Sequence, residues 1–138
     1  MAIMINDSLR TKMANVVTAW LSGTNGTSGT AGILKVYGGV QPTSGGTAGT
    51  QEILVQISPL GWVAASNGTA ALVDVQTGTA GTDGDAVWAR LSDSSGTACI
   101  VDGNCGTSGL SDFVIDEAEI TASAVITLTA ASIVQPGS

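Results

Sequence analysis

The sequence predicts a mainly β protein: an antiparallel β-sandwich or barrel of about eight short strands, preceded by one N-terminal amphipathic helix. Three observations lead there. Short β-branched runs recur between turn-forming residues, with no helical periodicity between them. The tetrapeptide Gly-Thr-(Ala/Ser)-Gly begins at Gly26, Gly29, Gly46, Gly78 and Gly106; glycine supplies turns, and threonine suits pleated strands. Only one stretch, near the N-terminus, repeats its apolar residues at helical spacing. The uneven intervals between the tetrapeptides exclude a repeat array.

Each element follows in order. Asn6 or Asp7 is an N-cap, and Leu9, Met13, Val16, Val17, Trp20 and Leu21 then share one helical face until Ser22-Gly23. This predicts a helix over 7–21 whose stripe packs on the core, with docking on a partner subunit as the alternative use of Leu9, Met13, Val17 and Trp20. Residues 23–32 are Gly/Thr-rich and predict a loop. Strands are expected at Ile33–Tyr37, closed by Gly38-Gly39, and at Glu52–Ser58, stopped by Pro59. Trp62–Ala65 and Thr69–Val75 flank Asn67-Gly68, a hairpin signal. Ala86–Ser92 alternates, with Val87, Ala89 and Leu91 opposite Trp88 and Arg90, and Asp93–Gly96 is a turn. Thr97–Val101 and Asn104–Gly106 flank Asp102-Gly103, read as a second hairpin. Phe113–Ile115 is short. Ala124–Val134 is the longest strand, with Val125, Thr127 and Thr129 opposite Ile126, Leu128 and Ala130. The 138 residues suit one domain, with an N-terminal segment at 1–22 and the β-sandwich at 33–134.

Composition narrows function. Eleven acids against four bases leave a net charge of −7, which argues against nucleic-acid and anionic-membrane partners. With no histidine, Ser-His-Asp and Cys-His chemistry is excluded. No dinucleotide or phosphate-binding glycine loop is present. The expectation is a non-enzymatic chain with no cofactor and no metal site. Aromatics are only 4% of residues, too few for a sugar-binding cleft beside paired carboxylates. The N-terminus lacks a basic region and a long apolar run, so no signal peptide is expected.

Two features remain open. Asp83-Gly84-Asp85 and the group Asp112, Asp116, Glu117 and Glu119 read as solvated turn acids, with calcium as the alternative. Cys99 and Cys105 flank the expected Asp102-Gly103 hairpin. They could bridge across its strands, stay as buried thiols, or form an interchain bridge outside a reducing cytosol.

The order of a Ser8-Leu9-Arg10-Thr11-Lys12-Met13-Ala14-Asn15 helix, Ile33-Leu34-Lys35-Val36-Tyr37-Gly38-Gly39-Val40-Gln41-Pro42, Ala86-Val87-Trp88-Ala89-Arg90-Leu91-Ser92-Asp93-Ser94-Ser95-Gly96 and Val101-Asp102-Gly103-Asn104-Cys105-Gly106-Thr107-Ser108-Gly109, closed by a long Thr/Val strand, resembles small virion structural proteins of tailed bacteriophages, in particular head-decoration or cement proteins. The resemblance implies a chain made in the bacterial cytoplasm and incorporated into the virion. Its partners would be the major capsid protein and copies of itself, most simply as a trimer, with loops 23–32, 41–50 and 78–85 as outer contacts. A tail, neck or fibre component and an adhesin-like or carbohydrate-binding β module are the alternatives.

Overall fold

The computed structural model describes residues 6–21, 32–43, 47–60, 66–72, 75–92 and 99–134. In chain order the elements are α1 (Asp7–Leu21), β1 (Gly32–Tyr37), β2 (Ile53–Leu60), β3 (Thr69–Ala71), β4 (Gln76–Thr79), β5 (Gly84–Asp85), β6 (Trp88–Ser92), β7 (Cys99–Gly106), β8 (Phe113–Ile115), β9 (Glu119–Ile120) and β10 (Val125–Val134). The protein is mainly β with one helix, as the sequence predicts.

Asn6 caps α1. Its Oδ1 accepts the Leu9 amide at 2.9 Å and its carbonyl accepts the Arg10 amide at 3.0 Å, which satisfies amides that have no partner inside the helix. The helix lies against β3 and β1, with Leu9 and Met13 of the expected stripe turned outward; the side chains of Val16, Val17, Trp20 and Leu21 lie outside the described residues. Ala14 is fully buried, whereas Leu9 is 50% and Met13 38% exposed. Docking runs through Thr11, whose Oγ1 accepts the Gly68 amide at 3.0 Å, and through Arg10, which lies against Gly68. A residue without a side chain lets the arginine stem and a hydroxyl approach the backbone, so the polar flank of the helix faces the barrel there.

Eight strands form one sheet in the order β2-β1-β6-β7-β8-β10-β3, with β4 also on β10; β5 and β9 pair separately. The pairs are antiparallel except β7–β8, which are parallel at Cys105↔Phe113 and Gly106↔Val114. The sheet is therefore mixed, not purely antiparallel. A short connection joins the parallel pair, and it is pinned across its base. Asn104 N–H donates to Asp112 Oδ2 at 3.0 Å, and Asp112 N–H donates to Asn104 Oδ1 at 2.6 Å. β3 and β4 lie along the same β10, one residue apart in register. The sheet then nearly closes on itself: Ala80, just past β4, bridges Val55 of β2, and Gly81 N–H donates to the Leu54 carbonyl at 2.9 Å. Inside the barrel lie Leu34, Val36, Val55, Ile57, Leu91, Ile115, Ile126 and Leu128, all at most 1% exposed.

The Asn67-Gly68 turn forms as expected. Both residues have positive φ, 50° and 77°, and Ser66 and Thr69 exchange backbone hydrogen bonds at 2.9 Å, the geometry of a tight mirror-image turn. The Trp62–Ala65 strand and the Asp93–Gly96 turn lie outside the described residues. Three other expectations are corrected. β2 continues through Pro59 to Leu60, because β2 ends the hydrogen-bonded order, where a missing N–H costs least. β7 runs unbroken through Asp102-Gly103, so there is no hairpin. In β10 the register shifts between Leu128 and Ala130, so Ala131, not Ala130, follows Leu128 into the core. A bulge inverts the alternation beyond it.

The barrel has two distinct ends. The start of β1, the ends of β2 and β6, and the C-terminal half of β10 with β3 and α1 gather at one. Gly38, the starts of β2 and β6, Thr79, Val125 and the β5–β9 pair gather at the other.

Candidate assembly surfaces

The residues singled out from sequence fall into separate groups. Leu9 and Met13 are exposed, one turn apart on α1. The helix continues over Val17 and Trp20, whose side chains lie outside the described residues. Of the expected contact loops, 23–31 lies outside the description, as does 44–46. Val40 at the start of the next loop is 83% exposed. The 78–85 segment is not a free loop: it contains the end of β4, the Ala80 bridge and β5. This copy of the tetrapeptide is therefore a seam in the barrel, not a turn.

Cys99 and Cys105 occupy one strand, six residues apart, which places them about 20 Å from each other. A disulfide needs α-carbons within about 7 Å, so the intrachain bridge is ruled out. Cys105 is a free buried thiol, and burial pushes its pKa up from 9.0 to about 12. A raised pKa means the folded state holds the proton more tightly. The thiol's contribution to stability is thus complete below about pH 9 and lost as pH rises toward 12. In a Cys99→Ser background, Cys105 is expected to resist alkylation by iodoacetamide at neutral pH until the chain unfolds. Labelling of the folded protein at the rate of the urea-unfolded chain would contradict this.

The acids act as local acceptors. Asp83 Oδ1 takes the Ala122 amide at 2.6 Å, and Asp116 Oδ1 takes the Thr127 amide at 2.8 Å. Among the described residues no three acidic or cysteine side chains converge to hold a metal ion. β5–β9 pairing places Asp85 opposite Glu119. Glu52, Asp83 and Asp85 flank a crevice of about 310 Å³ over Gly38, Gly39 and Gly84.

Sequence reasoning missed a cluster on the outer face of β1, β6 and β7. Tyr37 stacks on Trp88, with ring centroids 4.4 Å apart and planes at 13°, and Trp88 is wholly buried. Trp88 Nε1–H donates to Gln51 Oε1 at 3.0 Å, and Gln51 Nε2–H donates to the Val40 carbonyl at 2.8 Å. Arg90 lies 5.4 Å from the Trp88 ring centroid and grips Asp102 through two bonds of 2.7 and 2.8 Å. Burial raises the Tyr37 pKa, as does nearby Asp102, while Arg90 opposes the rise. The shared face of Trp88 and Arg90 was visible in the alternation; the register bringing Tyr37 and Asp102 to them was not. Gln51 thereby ties the Trp88 ring to the backbone at Val40, and the Arg90–Asp102 pair ties β6 to β7.

Among the described residues no helix is long and apolar enough to cross a membrane. Comparison with protein-family models, with curated proteins and with solved structures finds no match to this chain.

Proposed function

We propose that the chain is a non-enzymatic structural protein of a tailed-phage virion, a head decoration protein that clamps neighbouring capsomers and stabilises the shell. The resemblance stated above motivates this reading. The structural observation that supports it is the Leu9–Met13 pair turned away from the barrel on α1, because apolar side chains left outside a core are what repeated subunit contacts use. Many such modest contacts, multiplied over a lattice, give avidity without a strong single site. The major capsid protein and copies of this chain are its partners in this reading.

The test is particle composition. Virions of the phage that encodes the chain are purified, heads are separated from tails, and each fraction is quantified by mass spectrometry against the major capsid protein. Recovery with heads, in fixed proportion to the capsid protein, is expected. Recovery with tails alone replaces decoration by a tail or neck role, and absence from both fractions rejects the virion reading.

A further inference from the structure

We propose that the outward face of α1 in one copy docks into the acidic crevice at the far end of a second copy, joining copies head to tail. This deepens the assembly reading and rests on it for the expectation that the chain self-associates.

The two surfaces match in chemistry. Exposed Lys12 lies between exposed Leu9 and Met13 on α1. It is one of only four basic residues in a protein of net charge −7. The crevice presents the carboxylates of Glu52, Asp83 and Asp85 over glycines, and through Asp83 and Asp85 it continues into a second cavity of about 340 Å³ beside Glu119. Next in sequence to the crevice residues Gly39 and Glu52, Val40 is 83% and Ile53 38% exposed. One face thus offers an ammonium between aliphatic side chains, and the other offers carboxylates beside aliphatic side chains. Pairing α1 with α1 would instead bring like charges together, which disfavours association.

The occupant is a second copy because the two surfaces lie at opposite ends of the barrel. β10 has ten residues and so extends over roughly 30 Å; its C-terminal end pairs with β3, against which α1 lies, and its other end adjoins the β4–β5 region. A head-to-tail contact is heterologous: it builds a ring where the rotation closes and a filament where it does not.

Sedimentation velocity of the full chain tests this. Mass is expected to grow with protein concentration and to fall as salt screens the charges. Lys12→Glu and Asp85→Lys should each weaken association by roughly tenfold or more, without shifting the melting temperature, since both residues are exposed. Mixing the two variants should restore association. Each variant then supplies one intact half to the other, and the two altered halves again carry opposite charge. A wild-type chain that stays monomeric at every concentration overturns the proposal. So do variants that associate like wild type, or a mixture that does not recover. None of these outcomes touches the virion reading, which is decided by particle composition.

Discussion

Replacing Arg90 with Met is expected to destabilise the protein by about 3–5 kcal/mol, the cost of leaving a buried carboxylate without its partner. The residues are directly opposed across β6 and β7. Their side chains are only 13% and 6% exposed, and the guanidinium holds both carboxylate oxygens. Forked geometry of this kind resists substitution even by lysine, which cannot make both bonds at once. Arg90 also lies over Trp88, so its loss removes a cation–π contact worth about 0.5–2 kcal/mol. Urea unfolding measures the effect. Arg90→Met alone should lower the midpoint strongly, while Arg90→Met with Asp102→Leu should recover most of the loss, because removing both charges leaves none stranded. A single variant with wild-type stability would show that the pair is not the anchor of this face.

Substituting Gly78 with Ala is expected to cost roughly 1–3 kcal/mol or more, whereas Gly81→Ala, in the same Gly-Thr-Ala-Gly copy, should leave stability within about 0.5 kcal/mol. A Cβ at Gly78 would run into the Gln56 carbonyl oxygen and lie 2.9 Å from Ile57 Cγ1; one at Gly81 meets nothing within 4 Å. The obstacle at Gly78 is backbone of β2, which cannot swing aside as a side chain can. Gly78 pairs with Ile126 of β10 while passing close over β2, so the clash falls where the barrel closes. Thermal melts of the two variants side by side check this. Equal melting temperatures would mean that β4 does not press on β2.

Much of the architecture was legible because it depends on short-range chemistry. Asn6 at the head of an apolar 3.6-residue pattern marked α1, Asn67-Gly68 marked a turn that forms through positive φ, and Ile33–Tyr37 and Phe113–Ile115 stood out as β-branched or aromatic runs. The failures share a cause. Asp102-Gly103 carries residues depleted in strands and common in turns, yet the chain stays extended there. Arg90 waits opposite Asp102, and the missing side chain of buried Gly103 leaves room for Asp112, whose Oδ2 would lie 2.8 Å from a Cβ. Once that hairpin disappears, the geometry that brought Cys99 to Cys105 disappears with it. Leu9 and Met13 share the apolar period of α1 yet are exposed. A period identifies a face, but not what lies against it.

The sequence by itself determined the kind of protein this is: β-rich with one capped helix, acidic, and without the histidine chemistry of common hydrolases. Those properties reside in composition and in patterns a few residues long. The tertiary structure alone decided which polar residues are buried together, that one strand pair is parallel, that Gly78 stands at a closing seam, and that Leu9 and Met13 face outward. Each depends on register between segments 8 to more than 50 residues apart. Local propensities, worth about 1 kcal/mol or less per residue, yield to such long-range contacts when a buried ion pair or a closed barrel is at stake.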